Sequence, residues 1–446
     1  MDVQIVSTEI IKPSVPTPHH LKNFKISFLD QTSASFYIPL TFFYNTKFNL
    51  ENISQIHGNL KKSLSEALKV FYPLAGKVQD MFTIDCNDQG ASYTEAKANF
   101  TLSQYLQNPH LNTLNKFLPR HPNILENGPD FQVSIQVTLL ACGGLVIGAC
   151  VFHRVVDIAT MANFLRTWAS FCRGDYREFN NFQDLSLGSS IFPQLTSLFG
   201  DYNMANYGNH YFSQGKNYSV TRRFVFNASA IAVLREKAKS DAVPNPSRIE
   251  ALTGFICKRL MVAVQKNNEK PPSLLFISHA VNIRKRWDPP LPENAFGNFT
   301  WFAAAFYSLS ESEMEVSDCV ETMREALEGI NGENLKELEP ERAVKKLIES
   351  IGIIYENDEV RDYRFTSWCN MGFYEHLDFG WGLRPVWVAH MGDAAKGRTM
   401  HQFMFIEGKI GGEIELWMLF SEEEMAMLEN DPEFIAFATP NPSISI

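Results

Sequence analysis

The sequence predicts a mixed α/β protein of two similar-sized halves, residues 1–185 and 217–446, joined by a long crossover at 186–216. Three observations predict it. Two β-type runs, over 131–140 and 145–152, lead into a run with helical spacing, in which Ile158, Met161, Leu165, Trp168 and Cys172 share one face. A second series of strand and helix runs starts at Arg223. Between them, residues 180–216 lack periodicity and are rich in Ser, Asn, Gly and aromatic side chains, which is uncommon within one compact unit. A length of 446 residues also exceeds what one core ordinarily fills.

In chain order, the first forty residues read as strand, loop, strand: residues 3–11 alternate apolar and polar side chains, and Pro13, Pro16 and Pro18 punctuate the loop before the second strand. Leu60, Leu64, Leu68 and Phe71 have helical spacing, and Pro73 and Gly76 end that helix. Gly143-Gly144 closes the two β-type runs into a hairpin. A tight turn there sets Cys142 opposite Leu145 and Cys150 opposite Val137, so the two thiols are not partners. The helix from Ile158 stops at Arg173-Gly174, a basic residue before a capping glycine. In the second half the pattern predicts a strand over 223–226 and helices over 228–240 and 248–265. A strand over 274–281 and a helix over 317–330 follow. Strand runs separated by Gly408, Gly411 and Gly412 then fill 387–420.

Composition narrows the function. Hydrophobic residues at 45% and charged residues at 20% are those of a globular protein, not a disordered one. With 40 basic and 50 acidic side chains the net charge is −10, which excludes a general nucleic-acid or anionic-membrane surface. An anionic ligand would need a local basic patch. Seven scattered cysteines, an odd number, make no disulfide framework. No apolar run reaches the roughly 18 residues of a membrane helix, and residues 1–12 contain Asp2 and Glu9 rather than a signal-like run. The expectation is a soluble cytoplasmic protein. Neither a Gly-x-Ser-x-Gly elbow nor a glycine-rich nucleotide fingerprint is present, against a serine esterase or a nucleotide-dependent enzyme.

The stretch that points to chemistry is His153-Arg-Val-Val-Asp157, a histidine at a strand end with an acid at the mouth of the next helix. A strand end is a stiff platform, and an imidazole titrates near working pH, as a general base must. The same pair also arises by chance. As a metal site it is weaker, because no third ligand has suitable spacing. Farther on, in Leu377-Asp-Phe-Gly-Trp-Gly382, Gly380 and Gly382 permit a turn, Asp378 can cap its amides, and Phe379 and Trp381 can anchor it, a structural role. Thr366-Ser367-Trp368 offers a hydroxyl and an indole N–H to a developing oxyanion, or simply ends a strand.

Taken together and in this order, these motifs resemble those of the BAHD acyltransferases of plants. Phe71-Tyr-Pro-Leu-Ala-Gly-Lys77 is similar to another of that family's segments. Ser27-Phe-Leu-Asp-Gln31, Asp85-Cys-Asn-Asp88, Cys172-Arg-Gly174 and Asp288-Pro-Pro-Leu-Pro292 resemble its alkaloid O-acetyltransferase branch. The resemblance implies a pair of chloramphenicol acetyltransferase-like domains with a channel between them. It implies a monomer that uses acetyl-CoA or another acyl-CoA as co-substrate, with no resident cofactor or metal. The other partner would be a small-molecule alcohol, an alkaloid or similar plant metabolite, acylated directly without an acyl-enzyme. His153 would be the general base; Asp157 would turn away and pair with Arg284. Asp378, Gly380, Trp381 and Gly382 would support the site, while Thr366 and Trp368 would orient the acyl or oxyanion end. Ser247 and Arg248 would meet the coenzyme's phosphates at a helix N-terminus, with Lys258, Arg259 and the basic run 284–286 as further candidates. Phe299, Thr300 and Trp301 are candidates for lining the channel. The chain departs from the family at Ile158, where glycine is common, and at Leu383-Arg384-Pro385, one residue longer than usual. A repurposed, non-acylating member of the same fold is the alternative.

Overall fold

Two large mixed sheets carry the molecule. In the computed structural model, the described residues are 1–49, 51–120, 128–176, 185–196, 219–267, 272–309, 314–337, 339–355, 357, 359–390, 392 and 401–446. The first sheet has six strands, in the order Val3–Ile11, Ala91–Ala98, Val133–Leu139, Leu145–Phe152, Tyr37–Tyr44 and Trp387–Ala389. The second has seven: Thr300–Ser308, Leu274–Asn282, Val360–Ser367, Gln402–Glu407, Ile414–Ser421, Ser219–Phe226 and Thr439–Pro440. A small third sheet joins Asn23–Lys25, Thr83–Asp85 and Lys77–Val78. Most neighbours are antiparallel. Parallel pairs occur between Ala91–Ala98 and Val133–Leu139, and on both sides of Val360–Ser367.

The helices sit where apolar periodicity puts them. Ile158–Cys172 forms with the predicted bounds, and Arg248–Asn267 and Val316–Glu328 lie within two residues of theirs. Ile53–Val70 starts before Leu60 and stops at Phe71, ahead of the Tyr72–Ala75 turn. Its buried face meets Ile158–Cys172, and Trp168 Nε1 donates to the carbonyl of Leu60 at 3.0 Å. Chain order and packing do not coincide. Trp387–Ala389, far along the sequence, completes the first sheet beside Tyr37–Tyr44, with Trp387 opposite Phe43. Phe28 and Leu29, near the start, pack in the second core. Of the expected crossover, residues 186–196 are described and hold the short helix Leu187–Ile191. Gln31 fixes Leu195 through both backbone groups, at 2.9 and 3.3 Å. The rest of 186–216 lies outside the described residues.

The hairpin register differs from the sequence expectation. Leu139 stands opposite Leu145, so Cys150 faces Ser134, not Val137. The reason is the turn. Gly143 N donates to Leu140 and Leu140 N to Gly144, a longer loop that holds Cys142 at its tip instead of on a strand. All seven thiols are free; Cys142 is exposed, Cys172 half-buried and the others buried. No described helix is long and apolar enough to cross a membrane.

Candidate active site

His153 follows the last residue of Leu145–Phe152, a strand buried along its whole length and paired on both sides. The strand is fixed close to its surroundings at Gly148, where a Cβ would stand 1.9 Å from the carbonyl oxygen of Phe117. At the strand's end His153 N donates to Phe36 O at 2.8 Å, and the Phe36 ring stands edge-on to the imidazole at 5.2 Å. The imidazole is half-buried, and its Nδ1 is buried with no hydrogen bond of good geometry among the described residues. Burial holds its pKa below the ordinary 6.5, so the ring is neutral and able to accept a proton near pH 7.

Four residues on, Asp157 caps the helix Ile158–Cys172, its Oδ1 accepting from Thr160 N at 2.8 Å. The carboxylate is turned toward Arg284, whose Nη1 and Nη2 reach its two oxygens at 2.6 and 3.1 Å. Phe299 N adds a third donor at 2.9 Å, and the Phe299 ring lies under the guanidinium at 4.6 Å. Arg284 also donates to Thr160 Oγ1, Ala295 O and Gly297 O. Burial alone would push the Asp157 carboxyl up, but the Arg284 charge, its hydrogen bonds and the two amides outweigh that and hold it below the usual carboxylate range. This pair joins the two halves right behind His153.

A second brace was not visible in the sequence. Asn298 Nδ2 donates to the carbonyls of His153 and Arg154, at 3.0 Å each, and to Asp30 Oδ1 at 2.8 Å. Asp30 takes Asn298 N and, through its other oxygen, Ser27 N and Oγ. Desolvation raises its pKa despite these donors. The one available signal was Ser27 three residues before Asp30, a capping box, which said nothing about Asn298.

The other named residues fall in three places. Thr366 lies one residue before the end of the strand Val360–Ser367 and Trp368 just past it, where the indole packs in the core of the first half. Trp368 N donates to Phe405 O, and its ring stands edge-on to His390 at 5.1 Å, a histidine that burial lowers to about 4. Asp378 Oδ1 gathers the amides of Gly380, Trp381 and Gly382 within 3.1 Å; both glycines have positive φ, +87° and +67°. Phe379 packs on Trp168 and Trp381 on Tyr44. This turn meets the far end of the helix, where Arg173 donates to Asp378 O. Fifteen residues at 1.5 Å each put it about 22 Å from the Asp157 end.

Ser247 Oγ accepts from Glu250 N as the helix Arg248–Asn267 begins, and Glu250 accepts from Ser247 N and from Arg324. Arg248 is paired with Glu407 at 3.0 Å. The further basic candidates do not gather into a patch. Arg259 is buried with Asp431 and Glu433, and Lys258 meets Glu315. Arg284, Lys285 and Arg286 diverge to Asp157, Glu293 and the Leu327 and Ile330 carbonyls. Phe299 is fully buried behind Asp157; Thr300 and Trp301 are half-buried. Among the described residues no three His, Cys, Asp or Glu side chains form a metal-binding group.

The profile of the Transferase family matches residues 1–435. The chain belongs to that family, the BAHD acyltransferases. Over 448 residues it is 45% identical to akuammiline synthase 2 of Alstonia scholaris, covering 100% of this chain and 98% of that one. Stemmadenine O-acetyltransferase of Catharanthus roseus is 34% identical over 96% of each chain. A limonoid 7-O-acetyltransferase of Citrus sinensis is 36% identical over 99% of each. The crystal structure of vinorine synthase superposes with a TM-score of 0.78 at 29% identity, covering 99% of both chains. TRI101 of F. graminearum, solved with coenzyme A and T-2 mycotoxin, shares the fold at 15% identity, with a TM-score of 0.71 over 94% of this chain and 99% of that one. The two-half α/β fold of this BAHD acyltransferase is therefore that of vinorine synthase.

Proposed function

We propose that this BAHD acyltransferase moves an acetyl group from acetyl-CoA to a hydroxyl of an alkaloid or similar plant metabolite, acting as a cytoplasmic monomer with His153 as general base. The observation that carries the reading is the separation of the pair: Asp157 is spent on Arg284, while the His153 imidazole, half-buried at the strand end, is held neutral. The Asn298 side chain acts on the imidazole, and Asn298 Oδ1, buried with no other hydrogen-bond partner among the described residues, can only accept, which a protonated Nδ1 would satisfy. That complementarity favours the proton on Nδ1 and leaves Nε2 as the base. Nε2 takes the hydroxyl proton as the oxygen attacks the thioester carbonyl. The C–S bond then breaks, and the sulfur leaves with the imidazolium proton as free coenzyme A. Thr366 and Trp368 would orient the acyl end, and Ser247 and Arg248 would serve the coenzyme, Arg248 by exchanging Glu407 for a phosphate. The acetyltransferase names of relatives support acetyl over malonyl or benzoyl.

The test is a panel of acetyl, malonyl, benzoyl and hydroxycinnamoyl thioesters against plant alkaloid alcohols, read by mass. Wild type should add one acetyl group, and His153→Ala should lose about 10²–10⁴ in kcat with an unchanged melting temperature. Undiminished turnover in that variant would overturn the base assignment. A second reading is a repurposed member of the fold: the chain rearranges its substrate without acylating it. The same panel would then give a product of unchanged mass.

A further inference from the structure

Next to His153 in the chain lies a charge without a counter-charge among the described residues. Arg154 follows His153 in the short turn His153–Val155 and is only 9% exposed. Its Nη1 meets the thioether sulfur of Met81 at 2.6 Å, and its Nε is buried with no hydrogen-bond partner. Burial depresses its affinity for the proton, and no carboxylate offsets that among the described residues. Among the described residues the other buried arginines are paired: Arg223 with Glu415, Arg259 with Asp431 and Arg284 with Asp157. A thioether is a weak acceptor, and a buried guanidinium held by one is waiting for oxygen.

We propose that Arg154 is a specificity-determining residue that binds a carbonyl or carboxylate oxygen of the acceptor alcohol. A guanidinium presents a planar fork of N–H donors, which suits a ketone, ester or carboxylate and not a second hydroxyl alone. The acceptor, not the thioester, is its partner because of where the parts sit. Met81 lies in the loop between Lys77–Val78 and Thr83–Asp85 of the small sheet, in the first half. Ser247 and Arg248, assigned above to the coenzyme, belong to the helix Arg248–Asn267 of the second half. Only this division between acceptor and donor rests on the proposed function; the unpaired guanidinium does not.

The experiment is calorimetric binding of a matched pair of polycyclic alcohols, a hydroxy ketone that wild type binds and the same alcohol with the ketone reduced to methylene. Wild type, Arg154→Met and Arg154→Lys are compared, with coenzyme A titrated separately. Wild type should bind the ketone at least tenfold more tightly. Arg154→Met should erase that preference and leave the affinity for coenzyme A within twofold, while Arg154→Lys keeps part of it. Because methionine fills similar volume without a buried charge, the melting temperature of Arg154→Met should not fall. A preference retained in Arg154→Met, or a loss of coenzyme A affinity in its place, overturns the proposal. His153→Ala should keep the ketone preference, so a failed base assignment and a failed arginine assignment give different results.

Discussion

Asp157 shows how one side chain can be wholly taken up by its scaffold. Its two oxygens collect Arg284, Thr160 N and Phe299 N, so they have no capacity left to steer an imidazole. Asp157→Ala leaves Arg284 buried and uncompensated, and should cost about 3–5 kcal/mol in chemical denaturation. Replacing both partners with leucine should recover part of that loss. The pH dependence has a fixed sign. A carboxyl held below its ordinary 3.8 stabilises the fold above that value, and the contribution is lost as pH falls through the folded-state pKa. For His153 the depressed pKa means activity should persist below pH 6.5 and fall only at more acid pH, as read from a kcat/KM profile. The motif His153-to-Asp157 was legible because the two residues are close in sequence and differ in type from their surroundings. Asn298, Asp30 and Phe36 were not, since each acts through contacts more than a hundred residues away.

Elements were legible where the sequence itself carries a clear period. Ile158–Cys172 and Val3–Ile11 carry clear periods and were placed from them. Tyr37–Tyr44, which holds His153 in line, is buried at every residue and shows no alternation, so the sequence offers a second strand within the first forty residues but not its bounds. Val360–Ser367 was obscured by Arg361, Asp362 and Arg364, charges that hardly suggest a central strand until their ion pairs are seen. The strand that delivers His153 depends on close approach at its midpoint. Gly148→Ala would drive a methyl into the Phe117 carbonyl and should cost about 1–3 kcal/mol, with kcat falling because the strand end shifts. On the second sheet, His401 Nε2 lies 2.5 Å from Glu424 at the start of the helix Glu422–Glu429, and its Nδ1 meets Asp362 O. Burial opposes the charge, yet Glu424 and the Asp362 carbonyl raise the imidazole pKa. Its contribution is thus complete below 6.5 and lost as pH rises through the folded value. The melting-temperature gap between wild type and His401→Gln should shrink from pH 6 to pH 9.

At the scale of the whole molecule, the halves are interleaved. Trp387–Ala389 closes the first sheet, and its Trp387 Nε1 donates to Glu415 of the second, where Arg223 and Trp417 also meet that carboxylate. Past Thr439–Pro440 the chain returns to the first half, with Ile444 N donating to Leu106 O. Such sharing predicts one cooperative unfolding transition, seen alike by calorimetry and tryptophan fluorescence; two separated transitions would contradict it. Two α/β halves could be expected from the order of strand and helix runs. That a late strand would cross to the earlier sheet could not, because three residues carry too little pattern to declare their neighbour.

The hairpin tip offers something practical. Since Cys142 is the sole exposed thiol of the seven, a maleimide dye or a surface tether should attach at a single position. That position lies one strand length from His153, eight residues or about 26 Å, so the reagent would report on the protein or hold it on a chip while leaving that strand end unobstructed.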